Sequence, residues 1–600
     1  MKLVAGVDIG NATTETAIAR IDGKNVTFLS SGITGTTGIK GTKQNIHGVF
    51  QSLKNALDEV GFEISDLDEV RINEAAPVIG DVAMETITET IITESTMIGH
   101  NPNTPGGVGI GVGISQRIDR LDTVKDGGDV IVVIPAEVSF EAAAALINRY
   151  NKIFNITGAI VQRDDGVLIN NRLEKKIPIV DEVGMIDKVP LGMLCAVEVA
   201  PVGGVVEVLS NPYGIATLFK LSPEDTKQVV PIARALIGNR SAVVIKTPEG
   251  DVKERRIPAG SIEIIGAKKK VIVGVEEGAE KMMEAVNSVP VIEDIKGEPG
   301  TNAGGMLEKV RQVMSNLTNQ HPKDIKIQDL LAVDTYNPQK IKGGLANEFS
   351  LESAVGIAAM VKADRLQMKM IAEELTDPVY VGGVEADMAI KGALTTPGTN
   401  VPLAIVDMGA GSTDASIKDR DGNVKLVHLA GAGNMVTLLI QSELGLEDFN
   451  TAEDIKKYSL AKVESLFHIR HEDGTVQFFE QPLDPNVFAK VVLVKEDGEL
   501  VPLEGQDSME KIKMVRTNAK KKVFVTNAIR SLAKVSPTGN VRDIEFVVLV
   551  GGSALDFEVP TLVTDALSQY NIVAGRGNIR GCEGPRNAVA TGLAMSCADV

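Results

Sequence analysis

Leu3-Val4-Ala5-Gly6-Val7-Asp8-Ile9-Gly10-Asn11-Ala12-Thr13-Thr14-Glu15 near the start of the chain returns, much later, as Leu403-Ala404-Ile405-Val406-Asp407-Met408-Gly409-Ala410-Gly411-Ser412-Thr413-Asp414. The two stretches align without a gap: Asp8 on Asp407, Gly10 on Gly409, Thr13 on Ser412, Thr14 on Thr413, Glu15 on Asp414. The register persists downstream, where Asp22-Gly23 falls on Asp421-Gly422. An Asp-Gly pair between strand-like runs is a hairpin signal. Each copy therefore reads as a buried strand, a turn carrying Asp, Gly and hydroxyls, a second strand and a hairpin. One such turn alone says little. Two in one register predict a duplicated α/β core.

Working outward, 600 residues exceed what one hydrophobic core holds, so several domains are expected. Ile46–Val60 has helical spacing, with Ile46, Val49, Phe50, Leu53, Leu57 and Val60 on one face. Asp129–Arg163 reads as a separate strand–helix–strand unit, and Thr247–Ala267, punctuated by Gly and Pro, as a return crossing to the main body. The charged stretch Glu447–Pro537, with turns at Glu472-Asp473-Gly474 and Glu496-Asp497-Gly498, suggests a second insertion. Phe546–Val550 is a short β-rich run ending in Gly551-Gly552.

Composition excludes several functions. Lys+Arg at 61 against Asp+Glu at 80 gives a net charge of −19, which repels nucleic acid and anionic membranes. The short basic runs Lys268–Lys270 and Lys520–Lys522 are expected to be solvated helix or strand ends. Aromatic residues make up only 4% and Trp is missing, so no stacking platform for bases or sugars is expected. Cys195, Cys582 and Cys597 are too few and scattered for a disulfide framework or an iron–sulfur cage. The six histidines show no metal-ligand spacing. Met1-Lys2-Leu3 leads straight into a strand pattern, and no apolar run reaches the length of a membrane span; a cytoplasmic chain is expected.

The chemistry sits in the turns. A phosphate tail needs many N–H donors at close range and a Mg²⁺ ion against its charge. Gly10-Asn11-Ala12-Thr13 and Gly409-Ala410-Gly411-Ser412 can each wrap backbone N–H groups round a phosphate. Asp8 and Asp407, at the strand ends beside them, can hold the waters of a hydrated Mg²⁺. Gly551-Gly552-Ser553 lets a flat base or ribose approach the backbone. The glycine-rich loop with Arg586 runs into a small-residue helix, Ala588–Gly592, suited to tight packing. Gly35-Thr36-Thr37-Gly38-Ile39-Lys40 lacks the spacing of a Walker A loop, and Gly107-Val108-Gly109-Ile110-Gly111, with no strand leading into it, reads as a flexible joint.

This motif order resembles the actin-like (ribonuclease H-like) ATPases. The segments Arg71–Thr86, Ile98–Pro102, Asn211–Thr217, Ala235–Ser241 and Phe557-Glu558-Val559-Pro560 are similar to the large subunit of diol and glycerol dehydratase reactivases, along essentially the whole chain. The resemblance implies a duplicated actin-like ATPase core with an inserted α/β swivelling domain and a second insertion. It divides the chain into 1–92 and 256–446 (core), 93–255 (swivelling domain), 447–540 (insertion) and 541–600 (core). It implies an ATPase, with catalytic Asp8 and Asp407. Nucleotide contacts fall at Asn11, Ala12, Thr13, Gly409, Gly411, Ser412, Glu453, Asp454, Ile455, Lys456, Gly552, Ser553 and Arg586. A second divalent site, for Mg²⁺ or Ca²⁺, falls on Thr104, Asp164 and Asp181; Arg163-Asp164-Asp165-Gly166 offers two acids, and spacing does not choose between them.

By the same resemblance the activity is chaperone-like. The protein binds a dehydratase inactivated when its adenosylcobalamin is damaged, releases the dead cobalamin and lets intact coenzyme enter, powered by ATP with Mg²⁺. A small reactivase subunit completes an α2β2 heterotetramer, and the client is a diol or glycerol dehydratase, with the choice open, as is association with a bacterial microcompartment. Which aspartate comes closer to a base role is also open. Two rivals share the fold, a small-molecule kinase and a 2-hydroxyacyl-dehydratase activator; the second needs a cysteine-ligated cluster that three isolated cysteines do not supply. A filament-forming cytoskeletal protein is disfavoured by two insertions that obstruct stacking.

Overall fold

The computed structural model describes the chain except at residues 74–83, 95–96, 101–104, 125–127, 185, 203, 224–225, 227–228, 231, 234–235, 247–253, 337–345, 351–352, 363–378, 383–384, 401, 420, 506 and 599–600. It forms two compact units: one of residues 1–88, 258–338 and 353–600, the other of residues 89–257 and 339–352.

The first unit contains the duplication. In its first half, β1 (Lys2–Ile9), β2 (Thr13–Asp22), β3 (Asn25–Gly35), the helix α1 (Asn45–Asp58), β4 (Glu69–Ile72), β5 (Val379–Val381) and α2 (Glu385–Ala393) follow in chain order. Their sheet runs β5-β4-β1-β2-β3, antiparallel between β1, β2 and β3 and parallel from β1 through β4 to β5. In its second half, β6 (Leu403–Met408), β7 (Ser412–Lys418) and β8 (Val424–Ala430) lead to α3 (Gly433–Leu444) and α4 (Phe449–Lys457). Then come α5 (Met509–Lys520), α6 (Thr526–Val535), β9 (Phe546–Val550), β10 (Val573–Arg576) and α7 (Ala588–Ser596). Their sheet runs β10-β9-β6-β7-β8 with the same pattern of directions. Strand for strand the halves coincide, which is the actin-like, ribonuclease H-like layout.

The register repeats at single-residue level. Asp8 pairs with Glu15 across β1 and β2, and Asp407 with Asp414 across β6 and β7. The hairpins after Asp22 and Asp421 turn through Gly23 and Gly422, both at positive φ. The helix expected over Ile46–Val60 is α1, which buries Val49, Leu53 and Leu57. Matching helices α2 and α7 cross where both are made of small residues. A Cβ on Gly392 would lie 1.9 Å from the Ala588 carbonyl oxygen, and one on Gly592 2.0 Å from that of Met388.

The rest of the first unit extends the second half. A sheet of Met84–Ile87, Lys326–Tyr336 and Ser353–Lys362, a second of Ser261–Gly266, Lys270–Gly274 and Ile292–Gly297, and the helices Ala279–Asn287 and Asn302–Thr318 share its hydrophobic core. Between α4 and α5, residues 459–502 form a five-stranded antiparallel sheet with its own small core. Its turns pass through Gly474 and Gly498 at positive φ.

The second unit is built on a seven-stranded sheet, in the order 179–180, 155–161, 129–134, 109–117, 194–199, 241–245, 97–100. The expected strand–helix–strand appears as Asp129–Ile134, Phe140–Tyr150 and Asn155–Val161. Two expectations are corrected. Gly107–Gly111 is no joint: it runs into the strand Gly109–Arg117 in mid-sheet, where a Cβ on Gly111 would meet the Thr157 carbonyl oxygen at 2.0 Å. Glycine there permits close packing, which looks like flexibility in sequence. Lys520 is no solvated helix end; its side chain is 0% exposed, bonded to Asp556 and Glu558 at 2.8 Å. Residues 74–83 of the Arg71–Thr86 segment and residues 247–253 of the Thr247–Ala267 segment lie outside the described residues; the rest of the latter forms the strands Glu254–Ile257 and Ser261–Gly266. Among the described residues no helix is long and apolar enough to cross a membrane.

Candidate nucleotide cleft

Both repeated turns open onto one cleft of about 720 Å³ in the first unit, lined by Asp8, Asn11, Ala12, Thr13, Asp407, Gly409 and Ser412 among others. Each turn closes in the same way. The Gly10 N–H donates to the Thr13 carbonyl at 2.9 Å, and the Gly409 N–H to that of Ser412 at 3.1 Å. A Cβ at Gly10 would sit 2.7 Å from the Thr13 oxygen, so only glycine closes the first turn. The Asn11 Oδ1, buried at the turn, has no hydrogen-bond partner. Gly411 does not line the cleft; its carbonyl accepts from the Gly431 N–H at 3.1 Å and ties the second turn to the start of α3.

Carboxylates crowd the cleft floor. Asp8, Glu15, Glu385, Asp407 and Asp414 all face it, with Lys40 among them. Lys40, 5% exposed, donates to both Glu385 oxygens at 3.0 and 3.1 Å. Burial works against its charge, yet Glu385 and Asp8 hold its pKa above the usual lysine range. Asn73 donates to Asp8 Oδ1 at 2.8 Å and to Glu385 at 3.3 Å. Burial, then Glu385, pushes Asp8 well above the ordinary carboxylate range, with Lys40 opposing. Burial, then Asp414, Glu385 and Glu15, pushes Asp407 up to about 8. Such crowding is relieved by a cation. The donor set, five carboxylates facing one cleft, is made of the hard oxygens that suit a hydrated Mg²⁺ carried on phosphates.

The opposite wall comes from α4, where spacing of three and four residues decides what faces the cleft. Glu453, Lys456 and Lys457 line it. Lys456 donates to Glu453 at 2.6 Å, to Thr437 at 2.9 Å and to the Gly433 carbonyl at 3.1 Å. Burial opposes the Glu453 charge, but Lys456 and the hydrogen bonds pull its pKa down to about 2. The other half of the expected Glu-Asp-Ile-Lys set turns away. Asp454 bonds Lys495 at 2.7 Å, and Ile455 is buried in the core.

The Gly-Gly turn after β9 completes the cleft. Gly551 has φ +90°, and a Cβ there would lie 2.2 Å from Asp407 Oδ1, so this glycine makes room for the aspartate. Gly552 lies beside the Arg586 guanidinium, and the Ser553 hydroxyl donates to the Gly409 carbonyl at 2.8 Å. Arg586 donates to Glu15 at 2.8 Å and the Asn587 N–H to the same carboxylate at 2.7 Å, joining the loop before α7 to the first turn.

Lys40, Asn73, Glu385 and Glu15 were not singled out from sequence. Lys40 hid in a segment read only as a failed Walker A loop. Glu385 opens α2, whose kinship with α7 is masked by the three-residue strand β5.

In the second unit Asp181 is 0% exposed, with Oδ2 accepting the Gly166 N–H at 2.8 Å and Oδ1 lacking a partner. Burial, opposed by that bond and helped by Asp164, pushes it up to about 7. Asp164 is exposed in the loop between the strand Asn155–Val161 and the helix Gly166–Arg172, Asp165 immediately precedes that helix, and Thr104 lies outside the described residues.

Residues 273–597 match the family model for the diol dehydratase reactivase ATPase-like domain, and residues 92–252 that for the DD-reactivating factor swiveling domain. The diol dehydratase-reactivating factor large subunit of Klebsiella michiganensis is 61% identical over 602 residues, 99% of this chain and 98% of that protein. A solved diol dehydratase-reactivating factor in nucleotide-free form is 60% identical with a TM-score of 0.69, and a solved glycerol dehydratase reactivase 59% identical with a TM-score of 0.67. Each alignment covers 100% of both chains.

Proposed function

The chain belongs to the diol dehydratase reactivase family, and from that premise we propose that it is the ATP-hydrolysing large subunit of a dehydratase reactivase. It binds a diol or glycerol dehydratase whose adenosylcobalamin has been damaged, expels the dead cobalamin and readmits intact coenzyme. A small subunit completes an α2β2 assembly in the cytoplasm. The observation that carries the reading is the convergence of two phosphate-type turns in matching register on one acidic cleft.

The residues divide the work. Backbone N–H groups of Asn11-Ala12-Thr13 and of Ala410 and Ser412 bind the phosphates, each set held in shape by the glycine that opens its turn. Lys40, fixed by Glu385, adds a buried positive charge beside Asp8. Mg²⁺ bound with the nucleotide would supply neutralising charge on the phosphates, with Asp8 and Asp407 the residues that would hold its water shell; the same two carboxylates orient the attacking water. Glu453 and Lys456 hold the ribose, with Gly552, Ser553 and Arg586 closing over the nucleotide. Hydrolysis to ADP and phosphate changes the contacts in the cleft, and that difference is the free energy available to move a client. The unpartnered Asp181 oxygen supports a second divalent site with Asp164 and Thr104.

The test is reconstitution. Dehydratase inactivated by glycerol turnover, given this chain, its small partner, ATP, Mg²⁺ and fresh adenosylcobalamin, regains activity while ADP accumulates. Recovery that is as fast without the chain, or with no ATP consumed, contradicts the reading.

A further inference from the structure

The sequence motif Phe557-Glu558-Val559-Pro560 has no part in the contacts assigned above. Glu558 accepts from Arg516 and Lys520 at 2.8 Å, and Arg516 also bonds Glu472 at 2.9 Å. Burial opposes the Glu558 charge, but those cations hold its pKa at about 2. Both cations are fully buried, and Phe557 covers them, with its ring centroid 4.9 Å from the Arg516 guanidinium carbon and 4.4 Å from Lys520 Nζ. Arg516 and Lys520 stand four residues apart on α5, so they meet the ring from one side. The ring is thereby fixed against a rigid charged base.

Its remaining surface belongs to the cleft. Three aromatic side chains line that cavity, Tyr458, Phe524 and Phe557. Phe524 is 2% exposed, and Tyr458 is partly buried against the core with Lys495 Nζ 4.0 Å from its ring centroid. Phe557 is 46% exposed. The chain from Ser553, bonded to the phosphate turn at Gly409, leads through Leu555 and Asp556 to Phe557, and all four line the cleft. Every nucleobase has a π face, and an open ring in the wall of a nucleotide cleft is a surface for it.

We propose that Phe557 is the stacking face for the nucleotide base, a specificity-determining contact that favours nucleotides over bare polyphosphates. The proposal rests on the nucleotide-cleft reading above and names the side chain against which the base lies. It also reverses the expectation from composition: one well-placed ring suffices where aromatics are scarce.

The full chain contains no tryptophan, so Phe557→Trp introduces a single fluorophore at the ring position. ADP is expected to quench its emission, whereas tripolyphosphate leaves it unchanged. In parallel, Phe557→Leu keeps the apolar cover and removes the ring. Loss of one stacked base predicts an ADP Kd raised by about five- to a hundredfold, with tripolyphosphate affinity as in wild type. Equal ADP affinity in wild type and Phe557→Leu overturns the proposal alone. A parallel loss for ADP and tripolyphosphate also overturns it, because the residue then acts on the whole cleft. Wild-type chain that binds neither ligand defeats the nucleotide reading itself.

Discussion

Gly551→Ala tests whether the Gly-Gly turn exists to seat Asp407. With φ +90° and ψ 169°, Gly551 lies in a region essentially reserved for glycine, which costs an alanine about 1–3 kcal/mol. The new methyl would stand 2.2 Å from Asp407 Oδ1 and 2.7 Å from the Met408 carbonyl oxygen, both far inside van der Waals contact. Overpacking of this kind typically costs about 1–3 kcal/mol, so with the backbone cost the variant loses about 2–6 kcal/mol by urea unfolding. Activity falls further than stability. Relief of the clash moves Asp407 by the better part of an ångström, and such misplacement costs about a hundredfold in rate. The control is Gly575, in β10 of the same sheet and outside the cleft lining, where a Cβ would meet nothing within 4 Å. Steady-state ATPase should therefore collapse in Gly551→Ala and survive in Gly575→Ala. Comparable rates in the two variants would refute the reasoning.

Asp407 keeps its proton in the folded chain up to about pH 8, against an ordinary value near 3.8. Between those limits the folded state binds more protons than the unfolded one, so stability falls as pH rises. Without nucleotide and with chelator present, Asp407→Asn should therefore gain stability over wild type more at pH 8 than at pH 5, while ATPase is lost; an equal gain at both pH values would show that Asp407 is not buried as described. Gly592→Val, which pushes a side chain into the Met388 carbonyl where α2 crosses α7, should lower the thermal midpoint, and an unchanged midpoint would mean that the helices do not cross so closely. Arg516→Ala strands Glu472 and Glu558 beside Lys520 and should cost about 3–5 kcal/mol in urea unfolding; a loss below about 1 kcal/mol, the value of an exposed pair, would contradict its burial.

The duplication was legible because β1 and β6 end in the same Asp-x-Gly turn, and the register of such a turn survives without any tertiary information. What followed was harder to read. β5 has three residues and α2 nine, too short for periodicity to signal, so Glu385 stayed hidden although it answers Lys40 directly. Lys40 and Asn73 become functional only through contacts to Glu385 and Asp8, and no local pattern marks them. Lys520 sits in a basic run that looks solvated; its burial depends on Asp556 and Glu558, which lie 36 and 38 residues away. Asp454 and Ile455 do not line the cleft, for a geometric reason: a helix presents residues three and four apart on one face, so the side chains of four consecutive residues point different ways.

The account depends on two turns holding one nucleotide between them. Isothermal titration of the full chain with ADP and Mg²⁺ counts the sites directly. One site per chain is expected, weakened alike by Asp8→Asn and by Asp407→Asn. Two independent sites, each lost with only one of those substitutions, would contradict it.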